Sequence, residues 1–335
     1  MLLIRSASLT NFPELARAHH LDPSRLLAEV GLPPGCLRNP DLKVPAFLVS
    51  ELLELASRRS GLDTFGLQMA ETRQLSNLGA LALVLREVPS LRRALDALAR
   101  FGRLHNEALL LVIEEAGDVA VIREELVAGP GAAVRQSVEL VLGVTFRLLK
   151  VILGAQWRPL RVCFAHAAPA KRDVHLRIFG RGVTQFGCDF NGIVCAASDL
   201  DAPNLGADPV SARSGRLVFE AELQSGRATM THDVRRLVFM LLPAGHCRVE
   251  LVAQHLGVDR RTVHRQLRRE GETFSAIVNA ARCELAPRYL QDTSRPLEDV
   301  AGLLGFSAGS ALSRWYLQRF GRSPSQYRVE KTVAQ

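Results

Sequence analysis

No two of the six cysteines, Cys36, Cys163, Cys188, Cys195, Cys247 and Cys283, stand in a C-x-x-C spacing. Their scatter gives no zinc ligand pattern either, so reduced thiols in a reducing compartment are expected, with no metal and no cofactor. A membrane-length apolar run is also missing. The most apolar long stretch, Val138 to Leu153, is interrupted by Glu139, Arg147 and Lys150 and reads as a buried amphipathic helix. The opening Met1-Leu-Leu-Ile-Arg5 is too short an apolar run for a signal peptide. At 47% hydrophobic and 23% charged residues the composition excludes a disordered chain. These absences together predict a soluble cytoplasmic protein with no membrane partner, and 335 residues suit two domains.

Neither sign of charge dominates the first 227 residues, where 26 Lys/Arg face 24 Asp/Glu. From Ala228 onward the ratio is 16 to 10, and that segment carries +6 of the chain's +8. A basic C-terminal module on a neutral body is the electrostatic footprint of nucleic-acid binding.

The same module repeats itself. Val249-Glu-Leu-Val-Ala253-Gln-His-Leu256-Gly257-Val258 recurs 48 residues later as Leu297-Glu-Asp-Val-Ala301-Gly-Leu-Leu304-Gly305-Phe306. A second helical pattern follows each copy: Val263, Arg265 and Leu267, then Leu312, Arg314 and Tyr316 at an offset of 49. In each copy an apolar helical face carries a small alanine where two backbones approach. A glycine then allows a positive-φ turn, and Val258 or Phe306 plugs the corner. Asp259 and Ser307 are expected to cap the second helices. Two tandem helix-turn-helix units follow.

On the first unit's second helix, Val263 and Leu267 face inward, which turns Arg260, Arg261, Thr262, His264, Arg265 and Arg268 toward DNA. Arginine pairs bidentately with guanine edges and with phosphates. The second unit offers the smaller Ser310, Ser313 and Arg314. Arg265 and Arg314, flanked by inward residues, have a rival role in bracing their helices or touching phosphate. Gly305-Phe-Ser307-Ala-Gly309 also fits the G-x-S-x-G nucleophile elbow. That motif needs a preceding strand, however, and Leu297 to Leu304 has a helical period.

Thr231 to about Arg328 resembles the DNA-binding domain of the AraC/XylS family of bacterial transcription regulators. The resemblance rests on the residues above, on Phe274, Arg282, Ala286, Tyr289 and Leu290 along a linker helix, and on the closing run Phe320-Gly-Arg-Ser-Pro324-Ser-Gln-Tyr327-Arg328. Two positions depart from the pattern. Leu312 stands where phenylalanine is usual, and Pro287 interrupts the linker helix, crowding the carbonyl of Cys283 and leaving the angle between the two units open.

In the N-terminal half, Asp22-Pro23 opens a short helix to about Val30. Helical periods cover Ala46–Arg59, Leu62–Glu71, Asn77–Glu87, Ser90–Arg103, Ala132–Leu153 and Asp173–Phe179. Strands are expected at Ala108–Glu114 and Val119–Glu125, forming a hairpin, and at Leu160–His166 and Ile193–Ala197. Ser76 to Phe101, Pro159, Val162, Phe164, Phe179-Gly180, Phe186-Gly187 and Asp199 to Pro203 resemble the arabinose-binding-type N-terminal domain of one AraC subgroup, to which the ornithine-utilisation regulator belongs. That label identifies no ligand here.

The expected architecture is therefore an α+β sensor and dimerisation domain (1–205), a linker (206–230) with a short helix near Leu217–Leu223, and an all-α domain (231–330) of two helix-turn-helix units joined by a linker helix. The resemblance implies a non-enzymatic transcription regulator whose partners are double-stranded operator DNA, an unidentified small-molecule effector, RNA polymerase and a second copy of the chain. Three polar residues at element ends, His105, Asn106 and His166, are the candidates for effector contact. Cys163, Cys188 and Cys195 are candidates for a redox group, against the commoner role of buried cysteine as a small hydrophobe. The competing class is a DNA-repair enzyme with a similar DNA-binding module, which needs an activated cysteine in a catalytic motif; no cysteine here stands in one.

Overall fold

The computed structural model describes residues 2–127, 133–206, 229–243, 247–256, 258–291, 293 and 295–333. The expected helix at Leu217–Leu223, most of the 206–230 linker and Gly257 lie outside them. The chain divides into two compact units, one drawn from Met1–Ala128 and Ala132–Gly226, the other centred on Arg227–Gln335.

The first unit is α+β. Its N-terminus is a two-stranded ribbon, β1 (Leu3–Arg5) antiparallel to β2 (Lys43–Pro45), around α1 (Phe12–Ala18) and α2 (Pro23–Val30). Asp22 caps α2 by accepting from the backbone N–H of Ser24, and the helix ends on Gly31 at φ 77°, a left-handed stop that glycine adopts without strain. Next come α3 (Ala46–Ser60), α4 (Phe65–Glu71), α5 (Ala80–Glu87) and α6 (Leu91–Phe101).

The main sheet has five strands. β3 (Leu109–Ala116) and β4 (Val119–Leu126) form the expected hairpin, paired from Leu109↔Leu126 to Ala116↔Val119. The remaining strands are β5 (Arg161–Phe164), β6 (Thr184–Phe186) and β7 (Gly192–Ala196), in the order β3-β4-β7-β5-β6. Among the described strands, β5 and β6 alone run parallel. Their crossover carries α8 (Asp173–Phe179), which follows α7 (Arg135–Leu153) and β5 in the chain.

Helix α7 explains the long apolar stretch. Leu142, Phe146, Leu149 and Ile152 belong to the core over the sheet, whereas Leu140 belongs to a second core with Phe12, Leu26, Leu53, Phe65 and Met69. A helix that serves two cores is buried nearly all round and shows little polar face. Its contact with α4 runs through glycine: Gly66 lies against the backbone of Gln136, and Gly143 lies against Ala70. Trp157, just past α7, donates from Nε1 to Asp199 Oδ2 at 3.0 Å.

The second unit is all-α: α9 (Met230–Leu241), α10 (Val249–His255), α11 (Arg260–Arg269), α12 (Phe274–Gln291), α13 (Leu297–Leu303), α14 (Gly309–Phe320) and α15 (Pro324–Val333). Helix α12 continues through Pro287 without a break in its assigned span. It buries Ile277, Ala281, Leu285, Ala286, Tyr289 and Leu290, so packing on several sides offsets the lost backbone hydrogen bond. Trp315 on α14 sits in an aromatic group with Phe306, Tyr316 and Phe320.

Candidate nucleic-acid interface

Both tandem turns close with the same backbone bond. Val258 N–H donates to Ala253 O at 3.0 Å in the first, and Phe306 N–H donates to Ala301 O at 2.8 Å in the second. Ala253 and Ala301 are buried, as the close helix crossing requires. Gly305 adopts φ 65°, the left-handed value the turn needs.

The helix caps differ between the copies. Asp259 accepts from Thr262 N–H at 2.8 Å and from the Thr262 hydroxyl at 2.9 Å. The backbone bond holds its carboxyl below the usual range, and the hydroxyl bond adds to the effect. Ser307 does not cap α14. The N-cap residue is Ala308, and the orphan Gly309 N–H is met by Glu298 Oε2 at 3.0 Å, reaching across from α13. The extra residue in the second turn moves the helix start one position past the serine, and a carboxylate from the preceding helix takes over its task.

Helix α11 turns Val263 and Leu267 fully inward. Arg260, Arg261, Arg265 and Arg268 are exposed, and Thr262 and His264 are half-buried. The side chains of Arg260, Arg261, His264, Arg265, Arg268 and Arg269 line one open concavity along the helix. Arg269, the last arginine of the run that the sequence places on this helix, lines it with them. Ten helical residues span about 15 Å, comparable with a major groove about 12 Å wide. Three of the six expected contacts have protein partners: Arg260 pairs with Glu250 at 3.0 Å, the Thr262 hydroxyl serves the cap, and Arg265 Nη2 donates to the Thr262 hydroxyl oxygen at 3.5 Å.

On α14, Leu312 and Tyr316 are buried, Ser310 and Arg314 are exposed, and Ser313 is half-buried. Leu317, 52% exposed, and Gln318 continue the Ser310–Arg314 face. Sequence reasoning missed these two, although their i+7 and i+8 spacing from Ser310 was the available signal.

Arg282, projecting from α12, braces the second turn. Its Nε donates to Leu304 O at 2.8 Å, its Nη2 donates to Gly305 O at 2.9 Å, and the guanidinium stacks 4.0 Å from the Phe306 ring centroid. These carbonyls end α13, where a cation also complements the helix dipole. Arg282→Ala is expected to destabilise the second unit by about 2 kcal/mol, the loss of two charge-assisted bonds and a stack. Urea unfolding of the C-terminal domain checks this. Arg282→Lys, lacking the planar fork, is expected to recover less than half.

The three sensor candidates are not brought together. His105 accepts Arg5 N–H through its carbonyl at 2.8 Å, and its Nδ1 lies 3.3 Å from Arg5 Nη1. Burial, then the nearby Arg5 and Arg73 guanidiniums, push its imidazole down to about 3, so the ring is neutral. Asn106 is buried, with Oδ1 accepting from Ala108 N–H and its backbone bridged to Ile4. Both residues tie the N-terminal ribbon to the lead-in of β3. His166 lies elsewhere, beside Glu139 and His175.

Residues 21–204 match the model of the arabinose-binding N-terminal domain of AraC transcription regulators, and residues 252–330 match a helix-turn-helix domain. The transcriptional regulator VirS of Mycobacterium tuberculosis is 29% identical over 329 residues, 98% of this chain and 96% of VirS. The ornithine utilization regulator of Pseudomonas aeruginosa is 25% identical, over 88% of this chain and 87% of its own. The solved structure of the regulator CdpR from Pseudomonas aeruginosa aligns with 91% of this chain and 96% of its own, at 18% identity and a TM-score of 0.45. Among the described residues no helix is long and apolar enough to cross a membrane. A matched N-terminal family domain over more than half of the chain, followed by a matched helix-turn-helix domain, makes this protein a member of the AraC family of DNA-binding transcription regulators.

Proposed function

We propose that the protein is a one-component regulator in which residues 1–205 sense a small molecule and dimerise, 206–230 link, and 231–330 read an operator and meet RNA polymerase. The reading assigns base contact to Arg261, His264, Arg265 and Arg268 of α11 and to Ser310, Ser313 and Arg314 of α14, with Arg260 and Thr262 in supporting roles. The observation that carries it is the arginine-lined concavity along α11, on the second helix of a turn closed like its repeat. Effector binding would shift the sensor between states by its differential affinity for them.

Arg261→Ala is expected to weaken binding to a footprinted operator by about 1–3 kcal/mol, roughly fivefold to 150-fold in Kd. Fluorescence anisotropy at fixed salt measures this, and unchanged affinity removes Arg261 from the contact set. A methyl-accepting enzyme has less support. Burial pushes Cys163 and Cys195 up to about 12 and Cys247 up to about 11, the opposite of an activated thiol.

A further inference from the structure

Among the described residues of the sensor Glu139 is the most deeply buried acid, with 0% of its side chain exposed, and neither carboxylate oxygen has a hydrogen-bond partner. Three groups surround Oε1 without bonding to it: His175 Nε2 at 3.3 Å, His166 Nε2 at 3.5 Å and Arg135 Nε at 3.7 Å. Those atoms are unpartnered as well, as is His175 Nδ1. A well-made hydrogen bond between such groups measures about 2.7–3.2 Å, so the cluster is held just open. Leaving an ionisable group desolvated and unbonded costs several kcal/mol, too much for a passive core residue.

The protonation pattern says what is missing. His166 Nδ1 lies 2.9 Å from the carbonyl oxygen of Ala167, which only accepts, so Nδ1 carries the proton. Burial, its largest influence, lowers the pKa of this imidazole, which keeps the ring neutral and leaves Nε2 a bare acceptor. That lone pair lies 3.5 Å from the Glu139 carboxylate oxygen, so two acceptors without a hydrogen bond stand side by side, and one donor placed between them would satisfy both. A nitrogen about 2.8 Å from both completes a triangle on the 3.5 Å base.

The walls are aromatic. Phe164 and Phe186 stack at 5.4 Å, and each lies within 5.1–5.6 Å of both histidine rings. Phe179 packs against Phe164 at 5.9 Å. Aromatic faces attract a cation, and their apolar surface suits an attached carbon chain. The cluster reaches the surface through His166, 16% exposed, and Arg135, 29% exposed. Its members come from α7, the segment after β5, and α8, three elements that a bound molecule would draw together.

We infer that the Glu139–His166–His175 cluster is the ligand site of the sensor and that it takes a small molecule bearing an ammonium group, whose N–H donors bridge the carboxylate and the imidazole. A divalent metal fits less well, because among the described residues no three His, Cys, Asp or Glu side chains are grouped so as to hold one. This inference rests on the reading of the N-terminal domain as a sensor.

The test uses the full chain at pH 8 with cadaverine, L-lysine, butyrate, xylitol and zinc chloride as probes, read by calorimetric melting and by operator affinity. Cadaverine or L-lysine should raise the sensor transition while butyrate and xylitol leave it unchanged. Glu139→Gln and His166→Phe should each raise the amine Kd at least tenfold. Should Glu139→Gln fail to fold, histidine nitrogen resonances of the unsubstituted chain replace it, with His166 Nε2 moving on amine addition. Stabilisation by zinc or xylitol alone, lost in Glu139→Gln, overturns the ammonium assignment and leaves the sensor intact. An effector that works equally in Glu139→Gln overturns the site. If no metabolite of a broad panel changes melting or operator affinity, the sensor reading fails too.

Discussion

Replacing Gly66 by alanine should remove the folded sensor. A Cβ at this position would lie 1.9 Å from the carbonyl oxygen of Gln136 and 2.7 Å from its carbonyl carbon. Both atoms are backbone, fixed within α7, so the only relief is for α4 and α7 to move apart. The same crossing holds Gly66 N–H donating to Gln136 Oε1 at 2.9 Å and Gln136 Nε2 donating to Asp63 O at 2.9 Å, and both bonds stretch when the helices separate. The expected cost is at least about 4 kcal/mol, at the extreme of single substitutions and comparable with the whole stability of a modest domain. Soluble yield and the cooperative thermal transition measure it. Gly143→Ala, whose Cβ meets only the side chains of Ala70 and Leu67, should cost about 1–3 kcal/mol. Gly102→Ala, with open space and an ordinary negative φ, should be close to neutral. A Gly66→Ala protein that melts like its parent would show that α4 and α7 do not cross as described.

Second, sensor stability should depend on pH through Glu124. This carboxyl faces the core from β4, takes one hydrogen bond from the Thr145 hydroxyl, and leaves its other oxygen unpartnered. Burial pushes it up to about 7, from an ordinary 4.5, against the lowering effect of Thr145. The folded chain therefore holds the proton more tightly than the unfolded one. Its contribution is fully present below pH 4.5, declines as pH rises toward 7, and is gone above that. Each unit of pKa difference corresponds to 1.36 kcal/mol, so the loss amounts to about 3 kcal/mol by pH 8. Glu124→Gln does not titrate and should gain about that much relative to the parent between pH 4.5 and pH 8. Urea titrations at the two pH values decide it; parallel pH profiles for parent and variant would place the carboxyl in a wetter setting. His105 acts in the opposite direction: its lowered imidazole withdraws stability as pH falls below 6.5 toward 3.

Much of the DNA-binding half was legible because its signals are local. A 3.6-residue apolar period, an alanine at a crossing and an aspartate three residues before the amide it caps all lie within one short window. The failure at Ser307 has the complementary cause. Gly309 is capped by Glu298, eleven residues back, and nothing in the turn itself announces a carboxylate from the preceding helix. In the sensor, β1, β2 and β6 are three residues each, too short for alternation to register. The polar cluster was harder still. Glu139 reads in sequence as a charge that interrupts an apolar helix and argues against a membrane span, yet its side chain is fully buried. Its partners come from another helix and a loop, so only the fold shows that His166 and His175 face it.

The two tryptophans have a practical consequence. The chain holds two in all, Trp157 in the α+β unit and Trp315 between Phe306 and Phe320 in the helical one. Replacing either with phenylalanine leaves a single tryptophan whose emission, excited at wavelengths the three tyrosines do not absorb, belongs to one unit only. Unfolding of sensor and reader can then be followed separately within the intact chain, without dyes and without cutting it.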